Sequence, residues 1–369
     1  MTAPTLSAVE TRFQKNTVTN VEFLKKLPSE SRLAEALGFR PEKYLVIYDK
    51  RLRKNESVEK WLRDFTFTYP VTAGEKLKDV HDFPSHFKRI FNLVSPFSAR
   101  SLCVLALGGG TVGDFAGFVS SVMKRGVPLV HIPTTLLAAM DSAHGGKTGL
   151  NLGAIKNQVG SFYPANSVLI VRSLFEALPI LQLQSASGEL AKMALLQGGA
   201  LFERFERHFK PDLETFWEFL PDVIDVKYGF VAQDPYEETG HRQVLNLGHT
   251  LGHALESYHG IAHGLAVGEG LIFAIQWSHH SGYLREKQPA HLIDLLVEKI
   301  GVLKPLEFVK KHRMMSRAKL AKFIMEDKKL TDTRHMSFIF LESIGRPFRK
   351  VVPLESFLTE TQRQGWTAV

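Results

Sequence analysis

Cysteine is nearly absent from this chain of 369 residues, Cys103 being the only one. No internal disulfide can form, and a lone thiol inside the apolar run Ser101–Leu107 reads as a small core residue rather than a nucleophile. Long hydrophobic runs are missing as well: none approaches the roughly 18 apolar residues of a membrane span. The opening stretch MTAPTLSAVETRFQKN has no apolar core of a signal peptide, so a reducing cytoplasm is the expected compartment. There are no repeats and no low-complexity segments. Lys and Arg (46) outnumber Asp and Glu (38), for a formal net charge of +8, yet the cations are dispersed. Without a basic tail or a basic stripe interleaved with aromatics, nucleic acid and membrane are not the expected partners. A small anionic substrate accounts for the balance better.

What is present points to two domains. The length exceeds one small core, and 44% hydrophobic with 23% charged residues is ordinary for a globular protein. Tyr44–Tyr48 (YLVIY) reads as a buried strand ending at Asp49, and ligands gather at such strand ends in α/β sheets. Ser57–Phe65 and Val80–Val94 have helical periodicity; Phe67–Val71, Ser101–Leu107, Pro128–Pro133 and Ser167–Val171 read as strands. This alternation predicts a mostly parallel α/β sheet in a nucleotide-binding domain over residues 1–180. Beyond it, helical patterns cover Ser187–His208, Leu213–Asp234, Leu245–His259, Gly264–Gly282, His291–Gly301 and Ala318–Lys328. Met336–Leu341 and Phe348–Val352 flank the turn IGRP as a small hairpin. Residues 181–369 are thus expected to form an otherwise all-helical metal- and substrate-binding domain, with the active site in the cleft between the two.

Two stretches carry chemistry. In LALGGGTVGDFAGF, Gly108, Gly110 and Gly113 satisfy G-x-G-x-x-G after a strand and before a helix, where backbone N–H groups can cradle an anion. Plain turn geometry is the alternative. Arg125, Asp141, Lys147, Lys156 and Asn157 follow on turn-type segments. In LNLGHTLGHALESYHGIAHGLAVGEG, His249 and His253 stand four apart and share one helical face, with His263 across a Gly-bearing turn. Three such histidines can converge on a divalent ion such as zinc. Spacing alone selects His249 and His253 as the ligand pair. The motif is not H-E-x-x-H, because residues 250–252 are Thr-Leu-Gly, so a protease base has no support. Glu189 and Lys192, in SGELAK, are one turn apart among apolar neighbours, which favours a ligand role for the carboxylate over an exposed ion pair.

GGGTVGDFAGF, KRG, PTTLLAAMDSAHGGKTGLN and GAIKNQVGSFYPANSVLI together resemble the core signature of the 3-dehydroquinate synthases and their sugar-phosphate cyclase relatives. The resemblance runs from about residue 44 to 346 and implies a dehydroquinate synthase-like fold. It implies NAD and a divalent metal, zinc or cobalt, as cofactors. It makes Glu189, His249 and His263 the metal ligands and leaves His253 to bind substrate or shuttle protons. Around NAD it sets Asp49, Glu75 and Lys78 (of G-E-x-x-K), Gly109, Gly110, Thr111, Asp114, Thr134, Thr135, Asp141, Lys147 and Lys156. The implied substrate contacts are Arg125, Lys147, Asn157, Lys192, Lys227, Arg242, Asn246, His253 and Lys328, and the implied catalytic set is Asp141, Lys147, Lys192, Arg242 and His253. The family's arginine at the position of Arg125 reaches into a neighbouring subunit, implying a homodimer.

The implied reaction takes 3-deoxy-D-arabino-heptulosonate 7-phosphate to 3-dehydroquinate and phosphate by transient oxidation, phosphate elimination, re-reduction, ring opening and aldol closure. Cationic side chains crowded around one dianionic substrate would repel one another without it, so a cleft that closes on binding is expected. Three features depart from the family pattern: Lys50-Arg51 beside Asp49, Met193 where a tyrosine is usual, and Leu265 in HGLAV where an acid is usual. The rival readings are a cyclase for sedoheptulose 7-phosphate or glucose 6-phosphate, a metal-dependent polyol dehydrogenase, and a homologue that has lost activity.

Overall fold

The computed structural model describes residues 18–153, 155–285, 289–326 and 334–368. Lys328 and the end of the expected helix Ala318–Lys328 lie outside them. The chain forms two compact units, one of residues up to Leu178 with Lys227–Tyr236, the other of Pro179–Val226 with Glu237 onward.

In the first unit, apolar runs such as YLVIY and LCVLALG become fully buried strands. Such runs suit a parallel sheet covered on both faces. The order is β1 (Asn20–Leu24), α1 (Glu30–Leu37), β2 (Lys43–Asp49), α2 (Glu56–Leu62), β3 (Phe67–Val71), α3 (Phe83–Val94), β4 (Leu102–Gly108), α4 (Gly110–Val122), β5 (Leu129–Pro133), β6 (Lys147–Leu152), β7 (Ile155–Phe162) and β8 (Ser167–Val171). Six strands form one parallel sheet in the order β1-β8-β5-β4-β2-β3. From β2 the chain steps outward to β3, then returns to place β4 on β2's other side and runs on to β5. The C-terminal ends of β2 and β4 therefore flank a topological switch point, where open α/β sheets bind ligands. Asp49 closes β2 there, and the glycine turn follows β4 there.

Strands β6 and β7 form a separate antiparallel hairpin. Their polar, glycine-rich sequence hides them from a hydrophobicity pattern, and β7 is largely exposed. Gly160 has a steric reason to be glycine: a Cβ there would sit 2.4 Å from the Thr148 carbonyl oxygen.

The second unit is largely helical: α5 (Ile180–Gln197), α6 (Gly199–His208), α7 (Leu213–Gln233), α8 (His249–His259), α9 (His263–His280), α10 (Pro289–Ile300), α11 (Pro305–Lys311), α12 (Arg317–Glu326) and α13 (Leu354–Arg363). The last residues of α7, from Lys227, belong to the first unit. The IGRP turn does carry a hairpin, β9 (His335–Ser343) with β10 (Arg346–Pro353). Two expected helices are interrupted at glycines. Ser187–His208 is broken between α5 and α6 at Gly198, whose φ is +66°. Leu245–His259 becomes helical only at His249, after a 3-10 turn over Arg242–Asn246 and Gly248 at φ +78°.

Candidate functional site

The metal-type cluster is assembled by two glycines. A Cβ on Gly188 of α5 would lie 1.8 Å from the Gly264 carbonyl oxygen, and one on Gly264 of α9 would lie 1.6 Å from that of Ser185. Only bare backbone permits this approach. The Gly264 N–H also donates to Ser185 Oγ at 3.1 Å. The neighbours of these glycines, Glu189 and His263, are thereby brought face to face. Among the described residues, ligand atoms of Glu189, His249 and His263 all lie within 4.8 Å of one another. Glu189 Oε1 is 3.2 Å from His249 Nε2 and 3.3 Å from His263 Nε2. His253 stands beside this cluster, its ring centre 5.2 Å from that of His249 and 5.8 Å from that of His263.

Each imidazole is oriented from behind. His249 Nδ1 donates to the Leu247 carbonyl at 3.1 Å and His263 Nδ1 to Glu256 Oε2 at 2.7 Å, which leaves both Nε2 atoms facing Glu189. Hydrogen bonds of this kind fix the tautomer of metal-binding histidines. Burial opposes ionisation of Glu189, but Lys192, 2.5 Å away, and the two histidines outweigh it and hold the carboxyl well below its usual range. Burial, with Lys192, pushes His249 down, keeping it neutral. His263 is half-buried, and although desolvation works against its charge, Glu189 and Glu256 raise it to about 10. One anionic carboxylate and two preset Nε2 atoms make a donor set that fits a divalent ion, zinc above all. The positive charge held on His263 between two carboxylates is the charge such an ion would bring.

The switch-point end of the sheet has its own network. Gly109 caps α4, and a Cβ on Gly108 would strike Val112 Cβ at 2.6 Å, so that glycine is needed for packing as well as for the turn. The Gly74 N–H donates to Thr111 Oγ1 at 3.0 Å. Lys78 is buried, with Nζ 2.5 Å from both Asp114 Oδ2 and Asn157 Oδ1. Even so, burial leaves the Asp114 carboxyl above its ordinary value. Glu75 Oε2 accepts from Asn151 Nδ2 at 2.7 Å, and Asn151 Oδ1 accepts the Asn157 N–H at 2.9 Å. Asp49 is engaged by Arg51, which approaches its Oδ2 to 2.7 Å. Thr134 is buried, and Thr135 Oγ1 caps the next turn by accepting the Ala138 N–H at 3.2 Å.

That turn, Ala138–Ser142, is π-helical and carries Asp141. Lys227 is buried and donates to Asp141 twice, to its carbonyl oxygen and to Oδ1 at 2.6 Å. Arg125 is exposed at φ +67° between Lys124 (φ +49°) and Gly126 (φ +116°), a run of left-handed backbone that costs energy at its two non-glycine residues. Lys147 and Lys156 are exposed at the starts of β6 and β7. Arg242 is buried and Asn246 half-buried on the 3-10 turn before α8. Sequence reasoning missed Glu256 and Asn151. Glu256 lies three residues after His253, in a helix where an acid carries no special signal, and Asn151 sits in a loop-like run.

The model of the 3-dehydroquinate synthase N-terminal domain matches residues 68–185, and that of the C-terminal domain matches residues 186–330. A 3-dehydroquinate synthase of Dehalococcoides mccartyi is 35% identical over 308 residues, covering 82% of this chain and 81% of that protein. One of Pyrobaculum islandicum is 34% identical over 290 residues, covering 77% and 81%. Among solved structures, a 2-deoxy-scyllo-inosose synthase complexed with carbaglucose-6-phosphate, NAD+ and Co2+ has a TM-score of 0.80 at 22% identity, covering 98% of this chain and 99% of that one. At that identity the likeness speaks for the fold. No helix among the described residues is long and apolar enough to cross a membrane.

Proposed function

Because the chain belongs to the 3-dehydroquinate synthase family, we propose that it converts 3-deoxy-D-arabino-heptulosonate 7-phosphate into 3-dehydroquinate and phosphate. The observation that carries this reading is the convergence of Glu189, His249 and His263, each imidazole preset from behind, in a chain that matches both halves of the family. On this reading these three hold a divalent ion, zinc or cobalt. The turn Gly109–Thr111, with Asp49, Glu75 and Lys78, holds NAD. When bound, the ion supplies Lewis acidity at a substrate oxygen and NAD a transient hydride acceptor.

The chain's own residues do the remaining work. Asp141, held by Lys227, offers an oriented carboxylate oxygen to the hydroxyl that loses its proton. His253, beside the metal cluster, is placed to move a proton without being a ligand. Arg125, Lys147, Asn157, Arg242, Asn246 and Lys328 bind the phosphate and carboxylate and offset the charge that develops as phosphate leaves. Lys192 neutralises Glu189, which would otherwise be an uncompensated buried charge. A homodimer in the cytoplasm completes the reading, supported by the resemblance at Arg125 and by the single cysteine.

The test is phosphate release from the heptulosonate phosphate with NAD+, before and after chelation, while NADH absorbance is followed. Chelator-sensitive release with no net NADH is expected. Turnover of sedoheptulose 7-phosphate instead would move the assignment to a sister cyclase, and steady NADH from a polyol would overturn it.

A further inference from the structure

His144 and Tyr228 are fully buried polar residues to which neither the family resemblance nor the proposed reaction gives a role, and they lie directly behind the Asp141 turn. His144 is 2% exposed, with Nε2 2.7 Å from the Ala139 carbonyl oxygen and Nδ1 3.0 Å from the Tyr228 hydroxyl. A carbonyl only accepts, so Nε2 carries the hydrogen, Nδ1 is an acceptor and the Tyr228 O–H donates to it. The rings meet edge to face, with centres 5.3 Å apart. Burial, reinforced by nearby Lys227, pushes His144 down to about 3, so this neutral tautomer persists across the working pH range.

Both ends of this relay matter. Ala139 and Asp141 belong to the same π-helical turn, which is closed by the Ala143 N–H donating to the Ala138 carbonyl at 3.0 Å. Lys227 and Tyr228 are consecutive on α7, so their side chains leave the helix about 100° apart. Lys227 grips the turn at Asp141, and Tyr228 grips it at Ala139 through His144. The turn is thus held at two separate points, Asp141 and Ala139, in addition to its own backbone hydrogen bonds. Single π turns are frequent at functional sites, and an uncommon backbone of this kind persists where the surrounding structure over-determines it.

We propose that His144 and Tyr228 are positioning residues: a buried Tyr–His–carbonyl relay that locks the π turn and thereby fixes the Asp141 carboxylate and the Lys227 ammonium in their working geometry. The proposal rests on the reading above for what Asp141 and Lys227 do. The relay touches neither substrate nor cofactor and acts through the turn alone.

The test uses the full-length, metal-loaded enzyme with Tyr228→Phe, His144→Gln and the double variant. Tyr228→Phe keeps the ring contact and deletes one hydrogen bond. His144→Gln keeps a donor towards Ala139 and takes the acceptor away from the Nδ1 position that faces the Tyr228 hydroxyl. Each is expected to lower kcat about ten- to a hundredfold, the scale of a small misplacement at a reacting centre, with substrate KM within about twofold. The double variant should be no worse than Tyr228→Phe alone, because both remove the same link. Nitrogen-15 spectra of labelled histidine, assigned with His144→Gln, should show one neutral Nε2–H ring that does not titrate between pH 5 and 8 and whose Nδ1 signal moves in Tyr228→Phe. Unchanged kcat, or a lowered melting temperature with full activity per folded molecule, would reduce the pair to core packing and overturn the proposal. A titrating ring or the opposite tautomer would overturn it as well. If the parent enzyme releases no phosphate, the reaction reading falls, while the nitrogen-15 result still decides the relay.

Discussion

Glu269 is a carboxyl in the wrong place for an ionised group, and its replacement by glutamine should stabilise the protein in a way that grows with pH. It lies on α9 with 4% exposure. Oε1 accepts the Leu303 N–H at 2.7 Å, and Oε2 is buried with no hydrogen-bond partner. Burial lifts its pKa to about 8, the Leu303 N–H and Lys311 offsetting only part of that and Glu307 adding to it. In the unfolded chain the same group titrates near its ordinary value of about 4.5, so between those limits the folded state binds a proton that the unfolded state lacks. Stability from this group is therefore complete below about pH 4.5 and is lost as pH rises towards 8, at about 1.4 kcal/mol per pH unit. The full loss is about 5 kcal/mol, of which about 4 kcal/mol falls between pH 5 and 8.5. Glu269→Gln keeps the shape and the acceptor for Leu303 and cannot ionise. Thermal unfolding of parent and variant at several pH values between 5 and 9 isolates this group, because every other titration cancels in the difference. The variant should match the parent near pH 5 and exceed it by roughly 8–16 °C near pH 8.5, using about 2–4 °C per kcal/mol for a unit of this size. A gap that does not change with pH, or a parent that is the more stable at pH 8.5, would refute the reasoning.

Two further predictions concern the metal cluster. Glu256→Gln leaves an acceptor for His263 Nδ1 but removes the charge that raises the basicity of that ring. Zinc affinity, measured by chelator competition, should fall about 10- to 100-fold, and an unchanged affinity would remove Glu256 from the site. His263→Ala should lose the metal, whereas His253→Ala should retain it and lose turnover. Metal content of the two purified variants decides between the Glu189–His249–His263 cluster that the structure brings together and the His249–His253 pair that spacing alone would choose.

The parts of this protein that were legible in its sequence are those governed by nearby residues. Apolar runs bounded by turn residues marked β2, β4, β5 and β8, alternation marked β3, and the 3.6-residue period marked the main helices. Where a glycine breaks a pattern that looks continuous, as Gly198 does between α5 and α6, periodicity could not distinguish a helix-breaking glycine from a tolerated one. The β6–β7 hairpin was hidden for a different reason. β7 is polar and largely exposed, and β6 buries its middle with a polar, glycine-bearing sequence (KTGLNL), so hydrophobic alternation, the usual sign of a strand, is missing from both.

The site divides along the same line, and the histidines show why. Four-residue spacing correctly puts His249 and His253 on one face of α8, but a shared face does not decide which ring nitrogens converge. That depends on groups remote in sequence: the contact of Gly188 with Gly264, 76 positions apart, which carries Glu189 to His263, and the hydrogen bonds from Leu247 and Glu256 that turn both Nε2 atoms inward. The Tyr228–His144 bond spans 84 positions and joins two residues that have no motif in common. In each case the chemistry-bearing residue is visible in the chain, while the residue that aims it is not. The aiming group needs only the right hydrogen-bonding atom at the right place, and many residue types could supply that from many positions. Substitutions at Glu256 and Tyr228 are therefore the sharper probes of this site: they leave every residue of the family signature in place and change only the geometry in which those residues are held.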